Sequence, residues 1–198
     1  MIQLETVVIS ANKNETNRLE APIVVHVMTP KLFENTNSVC LAQGLSFQPG
    51  LRVETNCQNC GFQQVRINGL DGPYTQLLLD GKALFSSLNG VYGIEQIPTG
   101  MIERVEVMRG GGSALYGANA IGGTVNIITK EPLNNLFMIS HNLTAIGNSA
   151  YDNTTSLNTS LVNSQRDAGI YLFGTSRHRQ HYDHDGDHFS EIGKLKLT

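Results

Sequence analysis

Alternating apolar and polar residues, the period of a β-strand with one buried face, recur along most of this chain. The alternation is strongest in residues 102–108 and 124–129, where β-branched side chains dominate. Several glycines separate these two segments, and glycine permits positive φ and close backbone approach. The pattern therefore predicts a strand, a tight irregular turn and a second strand over residues 102–130.

Shorter periodic segments before this stretch predict a small domain of strands and short helices. Asp80 and Gly81 predict a hairpin turn, because Asp-Gly readily takes the positive φ values of a type I′ turn. Pro30 predicts the start of a helix, since proline is tolerated at the first helical position. The other predicted strands cover residues 4–10, 22–27, 51–55 and 62–67. A second short helix is predicted at residues 38–46, and a short helix or turn at residues 93–97.

Beyond residue 132 the composition shifts to Asn, Ser and Thr alternating with apolar residues. Three long strands are predicted, at residues 136–148, 154–163 and 168–180, with a short link at 164–167. In the second strand, one face carries Thr155, Leu157, Thr159 and Leu161, and the other carries Ser156, Asn158 and Ser160. The second face suits a polar interior of a barrel, with a soluble β-domain as the alternative.

The composition of the chain limits its size, its possible binding partners and the way it could cross a membrane. The 198 residues, of which 40% are hydrophobic, suffice for one core with an appended piece. A formal charge of -3 and a pI near 6.0 provide no basic surface for nucleic acid. No apolar run approaches the roughly 18 residues of a spanning helix, so any passage through a membrane must use strands.

The glycine-rich turn does not match a phosphate-binding loop. A P-loop requires lysine at the position that Gly123 occupies, and Leu115 stands where a dinucleotide fingerprint has its last glycine. The connection is also too short for a crossover helix between parallel strands. A phosphate site is therefore disfavoured, and the glycines indicate a compact, sharply turning connection.

The segment RVEVMRGGGSALYGANAIGGTVNIITK resembles the end of the plug domain of TonB-dependent outer-membrane receptors. Gly111 departs from the family pattern, in which proline is common, so a looser turn is expected there. The positions that match the pattern are Glu106, Val107, Arg109, Gly110, Ser113, Leu115, Tyr116, Gly117, Ala120, Gly122, Gly123, Asn126, Ile127, Ile128, Thr129 and Lys130.

The resemblance implies an α+β plug domain, a small mixed sheet with short helices, followed by the first antiparallel strands of a transmembrane β-barrel. Residues 1–17 would be a TonB-box segment and linker, residues 18–132 the plug, and residues 133–198 the first strands of the barrel. Barrels of this type have about 22 strands, so three strands cannot close one. With no visible signal peptide, we expect a mature or trimmed piece of a receptor.

The implied function is energy-coupled import of a scarce nutrient, without enzymatic activity. Haem, cobalamin or an iron siderophore would be cargo and not cofactor. The implied partners are TonB with its inner-membrane energising complex, outer-membrane lipid and the cargo. The resemblance implies the outer membrane of a Gram-negative bacterium, with the plug and N-terminus facing the periplasm. The alternative is a binding or signalling module that does not transport.

The N-terminal segment has two interpretations. Its alternation is typical of an edge strand followed by a polar loop. The resemblance instead implies a TonB box, which would add as a strand to a sheet edge of TonB. The residues of the predicted box are Glu5, Thr6, Val7, Val8, Ile9 and Ser10.

Two arginines have roles implied by the resemblance. Arg66 and Arg109 match plug arginines that meet glutamates of the barrel wall, although Asn68 is inserted before the glycine of the first motif. Such wall partners would lie outside this chain. On residue pattern alone, Arg104 and Glu106 share a face, which is typical of a solvated charged surface on a small sheet.

There are three cysteines, an odd number that argues against a fully disulfide-bonded scaffold. Cys57 and Cys60 are predicted to form a local disulfide in an oxidising periplasm, with ligation of a metal or haem iron as the alternative. A redox enzyme is disfavoured because the pair lacks the strand-then-helix context of a thioredoxin site. Cys40 is predicted to pack as a small apolar residue.

The C-terminal region contains an acidic and histidine-rich loop. Its carboxylates, at Asp183, Asp185, Asp187 and Glu191, suit Ca²⁺, although the spacing is not that of an EF-hand. His181 and His184 are the candidate ligands for a softer metal or for cargo. A merely solvated polar loop is the alternative interpretation. If the third strand runs upward, this loop would lie outside the cell.

Overall fold

The computed structural model of the chain describes residues 8–9, 16–17, 24–57, 62–84, 94–110, 113–188 and 190–197. Most of them belong to two units, which we call the mixed-sheet domain (residues 24–130) and the long-strand sheet (residues 136–197). The described α-helices include α1 (Pro30–Asn35), α2 (Leu41–Leu45) and α3 (Ser113–Tyr116), with a helical turn at residues 94–96. Short 3-10 helices cover Gly72–Tyr74, Thr99–Met101 and Ala118–Ala120. The described strands are β1 (Val8–Ile9), β2 (Thr16–Asn17), β3 (Val25–Met28), β4 (Leu51–Cys57), β5 (Phe62–Ile67), β6 (Thr75–Leu79), β7 (Lys82–Ala83), β8 (Ile102–Arg109), β9 (Gly123–Thr129), β10 (Leu136–Ile146), β11 (Ala150–Val162), β12 (Gly169–Arg179) and β13 (Leu195–Leu197).

The mixed-sheet domain is built on five strands in the order β3-β8-β9-β6-β7. Only β6 and β9 run parallel, and the other neighbours in this sheet are antiparallel. Strands β4 and β5 form a separate hairpin. The long-strand sheet is antiparallel in chain order from β10 to β13 and does not close on itself. The predicted fold class is therefore confirmed, with an open set of barrel-type strands.

The hydrophobic core lies on one face of the mixed sheet. Val105 and Val107 of β8 and Val125 and Ile127 of β9 are fully buried there. Buried side chains of α1, α2 and the β4–β5 hairpin, including Phe33, Leu41, Leu45, Val65 and Ile67, complete the same cluster. Burying one such side chain contributes roughly 1.5–3 kcal/mol, so this face holds the domain together.

The opposite face of the sheet is also buried, which corrects the expectation of a solvated charged surface. Glu106 is 1% exposed, and Thr124 and Asn126 are fully buried. The Nε atom of Arg104 lies 2.8 Å from Oε1 of Glu106. A buried carboxylate requires a charged or hydrogen-bonding partner, and Arg104 provides it.

The predicted Asp-Gly hairpin forms between β6 and β7, with φ values of 48° at Asp80 and 76° at Gly81. The Asp80 carboxylate also reaches the end of β9. Its Oδ1 accepts a bond of 2.9 Å from the backbone N–H of Thr129, and its Oδ2 accepts one of 2.9 Å from the Thr129 hydroxyl. The hairpin thus fastens the residue at which β9 ends.

The long-strand sheet shows the predicted alternation. Asn158 and Ser160 of β11 are 5% and 3% exposed, whereas Leu157 and Leu161 are 44% and 56% exposed. The polar row therefore faces inward, toward the mixed-sheet domain, and the leucines face outward. The link after β11 is short, with the Arg166 N–H donating to the Asn163 carbonyl at 3.1 Å.

Helix α2 is shorter than predicted, helix α3 was not predicted, and β11 begins at Ala150, four residues before its predicted start. Helix α2 begins at Leu41 and not at residue 38, because Cys40 is extended and forms a bridge with Pro98. Helix α3 lies inside the segment that was predicted as a turn between β8 and β9. The division of the chain at residues 17 and 132 stays a prediction. Within the described ranges, no helix is both long and apolar enough to cross a membrane.

Candidate functional site

Polar side chains join the long-strand sheet to the mixed-sheet domain, along a boundary that we call the seam. The Tyr171 hydroxyl donates to the Gly100 carbonyl at 2.9 Å and lies 3.3 Å from Oδ1 of Asn158. Asn142 donates to the Asn37 side-chain oxygen at 2.6 Å. A Cβ atom at Gly100 would lie 2.8 Å from Asn158 Oδ1, so glycine permits this close approach.

Four charged side chains form an ionic cluster at the seam: Glu95, Asp152, Arg177 and Arg179. Arg177 Nε lies 3.0 and 3.2 Å from the two carboxylate oxygens of Asp152, and its Nη2 lies 2.5 Å from Oδ2. Oε1 of Glu95 lies 2.6 Å from Arg179 Nη1 and 3.5 Å from Arg177 Nη1. Glu95 thus connects the mixed-sheet domain to two arginines of β12.

Strand pairing positions the members of the ionic cluster. In the β11–β12 register, Asp152 lies opposite Arg179 and Thr154 lies opposite Arg177, so Asp152 reaches Arg177 diagonally. Glu95 lies on a helical turn of residues 94–96. The following segment is held against α2, because the Leu41 N–H donates to the Ile97 carbonyl at 2.9 Å.

Cys40 lies beside the ionic cluster as a free, buried thiol, as predicted for a small apolar residue. Its Sγ is 3.5 Å from Arg177 Nη1. Burial raises the pKa of the Cys40 thiol, and the positive charge of Arg177 opposes that rise. The thiol is therefore protonated and shielded by the contact between the two units.

Residue pattern did not predict the ionic cluster. The alternation along β12 places Tyr171, Arg177 and Arg179 on one face, and the β11 polar row shows that this face points inward. Two arginines on an inward face are the signal that was available. Glu95 carried no comparable signal, because its neighbours in sequence form only a single helical turn.

Arg66 and Arg109 occupy one end of the mixed-sheet domain. Arg66 Nε lies 2.6 Å from Oε2 of Glu54, and its Nη2 lies 3.0 Å from Oδ1 of Asp71. Arg109 donates through Nη2 to the Pro49 carbonyl. Arg66 therefore has carboxylate partners within this chain, and contacts of either arginine with wall glutamates stay a prediction.

The carboxylates predicted to bind calcium come together in the loop after β12. Ligand oxygens of Asp183, Asp185, Asp187 and Glu191 lie within 4.8 Å of one another, mostly exposed. Asp183 accepts backbone N–H bonds from Gly186 at 2.7 Å and from His188 at 3.0 Å.

These backbone bonds stabilise the charged form of the carboxylate, so the pKa of Asp183 is lowered, chiefly by the Gly186 N–H. The predicted histidine ligands do not join the four carboxylates in that group. His181 is exposed, and His184 Nδ1 lies 3.2 Å from the Tyr182 hydroxyl. Calcium binding and a ligand role for the histidines stay predictions.

Several predicted positions lie wholly or partly outside the described residues. Of the predicted TonB box, only Val8 and Ile9 are described, as β1, which pairs with Thr16 and Asn17 of β2. Cys57 ends β4, but Cys60 is outside the described residues, so the predicted disulfide stays a prediction. Gly111 is likewise outside them.

Comparison with known proteins identifies the family. Residues 17–124 match the model of the TonB-dependent Receptor Plug Domain. The chain belongs to the TonB-dependent receptor plug family. The mixed-sheet domain is its plug, and the resemblance of the segment that ends in β9 is confirmed.

The plug has relatives among vitamin B12 transporters. BtuB of Vibrio vulnificus (strain CMCP6) is 35% identical over 127 residues, which cover 64% of this chain and 21% of that protein. BtuB of Vibrio cholerae (strain M66-2) is 31% identical over 126 residues, with the same coverage of 64% and 21%. The match therefore spans about a fifth of the length of these relatives.

Solved receptors share the arrangement of plug and strands. The siderophore receptor PirA of Acinetobacter baumannii has a TM-score of 0.67 at 25% identity, covering 83% of this chain and 26% of that chain. The ferric enterobactin receptor PfeA of Pseudomonas aeruginosa has a TM-score of 0.64 at 26% identity, covering 81% and 25%. These relatives are receptors and transporters and not enzymes.

Proposed function

We propose that this chain supplies the plug and the first wall strands of a Gram-negative outer-membrane receptor that imports a scarce nutrient with energy delivered by TonB. The observation that carries the proposal is the family match over residues 17–124, in a domain that packs against long antiparallel strands. In this arrangement the plug closes the lumen at rest, and movement of the plug opens a path.

The chemistry of the seam supports a gating role. Its contacts are hydrogen bonds and ion pairs, such as Tyr171 to Gly100 and Arg179 to Glu95. Polar contacts of this kind exchange for water at a net cost of roughly 0.5–1.5 kcal/mol per hydrogen bond. Water cannot replace the contacts of the apolar core inside the plug in this way. The plug can therefore separate from the long-strand sheet, its wall, before its own core opens.

The cargo would meet the end of the plug at which β6 and β9 begin. Leu70, Tyr74 and Ile121 expose apolar side chains there, at 40%, 45% and 52%. The Gly122 N–H donates to the Tyr74 carbonyl at 2.8 Å and holds the two loops together. The chain leaves for β10 at the opposite end of β9, which in this proposal faces the periplasm together with the N-terminus.

Cobalamin is the first cargo to test, because the curated relatives at 35% and 31% identity are vitamin B12 transporters. Iron siderophores are the second, since the solved neighbours PirA and PfeA are siderophore receptors. Haem is the third, from the cysteine pair and the histidine-rich loop of the sequence.

The deciding experiment replaces Val7 with proline in the receptor that contains this chain. Proline removes a backbone N–H that strand addition to TonB would use. We expect Val7→Pro to abolish uptake of labelled cyanocobalamin while equilibrium binding to isolated outer membranes is retained. The matched control is Lys13→Pro, which places the same residue in the polar run after the predicted box and should leave uptake intact.

Cells without TonB provide the second arm of this experiment. They should bind the cargo and not accumulate it, with ferric siderophore and haemin tested in parallel. Uptake that survives both Val7→Pro and loss of TonB would contradict energy-coupled import. Binding without uptake in the unaltered receptor would instead favour the non-transporting binding or signalling module.

A further inference from the structure

We infer that Glu95 is a latch between the plug and the wall, and that the two parts separate between Glu95 and the arginines of β12 while the Asp152–Arg177 pair stays on the wall. This inference rests on the proposed function. It assigns to the plug a carboxylate, and to the wall two arginines, which is the reverse of the charge arrangement expected for Arg66 and Arg109.

The distances within the ionic cluster show where it divides. Arg177 meets Asp152 through three contacts of 2.5 to 3.2 Å, and both residues belong to the long-strand sheet. The contact between Arg177 and Glu95 is longer, at 3.5 Å, while Arg179 holds Glu95 at 2.6 Å. Arg177 therefore depends chiefly on the wall, and the contact across the seam is chiefly Glu95 with Arg179.

The burial of Arg177 and Asp152 favours separation between Glu95 and Arg179 over separation of the buried pair. Arg177 is 3% exposed and Asp152 is 7% exposed, and leaving either charge without its partner would be strongly destabilising. Arg179 lies at the end of β12, where its Nε also donates to the Gly193 carbonyl at 2.9 Å. Beside that exposed loop, the Arg179 charge can be hydrated once Glu95 leaves. The latch can therefore open without exposing the buried pair.

Cys40 reports the state of the latch. Its side chain is 3% exposed, and Arg177 covers the sulfur from the wall side. Departure of the plug from β12 removes that cover and lets a thiol reagent reach Cys40. The rate of reaction with a maleimide therefore measures opening of the latch directly, without cargo or TonB.

The test uses the receptor in isolated outer membranes, in a Cys57→Ser/Cys60→Ser background that leaves Cys40 as the sole cysteine of this chain. We expect Glu95→Gln to raise the labelling rate of Cys40 about tenfold, since a hydrogen bond between two charged groups across the seam becomes a weaker one to a neutral amide. Arg179→Gln should have a similar effect from the wall side. The matched control is Glu34→Gln, which neutralises an exposed carboxylate on α1.

A charge swap separates a latch from a merely structural role. Glu95→Arg combined with Arg179→Glu should return the labelling rate toward that of the unaltered receptor, whereas Glu95→Arg alone should raise it. Only receptor that keeps the electrophoretic mobility of a folded barrel is counted, so misfolded protein does not contribute. Asp152→Asn should lower the folded fraction instead, because it leaves Arg177 buried without its main partner.

An unchanged labelling rate in both Glu95→Gln and Arg179→Gln, or a swap that fails to restore protection, would overturn the latch. The outcome is independent of import, because no uptake is measured. Expected labelling in a receptor that imports nothing would retain the latch and reject the proposed function. Normal import with an unchanged labelling rate would retain the proposed function and reject the latch.

Discussion

Gly123, the first residue of β9, is required by its own backbone and by its neighbour. Its φ is 145°, in a region that residues with a side chain rarely adopt. A Cβ atom would lie 2.3 Å from the Met108 carbonyl oxygen, which belongs to the backbone of β8 and cannot turn away. Glycine at this position therefore lets β8 and β9 pair up to their ends.

We predict that Gly123→Ala strongly reduces the amount of folded receptor, because it combines backbone strain of about 1–3 kcal/mol with the clash against β8. Gly110→Ala is the control, since Gly110 has a φ of 67° and no described atom lies within 4 Å of where its Cβ would be. It should cost only about 1–2 kcal/mol. Quantifying folded receptor in outer membranes checks this order, and equal losses in the two variants would contradict it.

At the scale of single residues, the sequence predicted the role of a residue type better than the contacts between residues distant in the chain. The compact connection that the glycines before β9 permit and the buried state of Cys40 were both recognised from residue type. The Glu95 pairings were not, because they join residues 82 and 84 positions apart in the chain. The buried state of Glu106 was missed because alternation shows that two faces exist and not what covers each of them.

At the scale of elements, the hydroxyl of Tyr171 is one of the groups that attach β12 to the plug, and the effect of removing it can be measured. We predict that Tyr171→Phe weakens the attachment by about 1 kcal/mol, since the Gly100 carbonyl loses its donor while the ring remains. The midpoint of plug release in urea, followed by limited proteolysis, measures the change. Tyr151→Phe is the control, because Tyr151 is 50% exposed, and an equal shift in both variants would reject the role of Tyr171.

Elements with strong local signals were predicted closely. Strand β5, the Asp80–Gly81 turn, β10 and β12 follow from alternation and turn chemistry, whereas β11 begins four residues before its predicted start. Helix α3 was missed because its four residues are too short for a helical period to appear. Helix α2 is shorter than predicted because Cys40 pairs with Pro98, a contact between distant segments.

For the molecule as a whole, the outward face of the long-strand sheet indicates its surroundings. Ile170 and Leu172 of β12 are 61% and 59% exposed, with Phe137 and Ile139 of β10 similarly uncovered. In a complete receptor this face would contact lipid, which accounts for apolar side chains on a surface that the described residues leave uncovered.

We predict that Leu172→Arg costs roughly 2–4 kcal/mol in the membrane if residue 172 lies near the bilayer midplane. Leu172→Phe, an apolar change at the same position, should be tolerated. The fraction of receptor with the electrophoretic mobility of a folded barrel measures both variants. Equal folding of the two would show that this face does not meet lipid.

At this scale the family and architecture could be predicted from sequence, because the segment around β8 and β9 carries many fixed positions at fixed spacing. The cargo could not, since recognition depends on how loops from different parts of the chain meet. Leu70 and Gly122, for example, approach each other because β6 and β9 run side by side.

The hydrogen bonds from Thr129 to the Asp80 carboxylate limit how far the plug can move from the long-strand sheet. Beyond Thr129 the chain has only residues 130–135 before β10 begins at Leu136. A fully extended connection of that length reaches roughly 25 Å. While the Asp80–Thr129 bonds hold, this corner of the plug can move no farther than that from the start of β10. In the proposed function, cargo would then pass through an opening on the opposite side of the plug. A wider opening would require β9 to lose its strand pairing with β6 and β8.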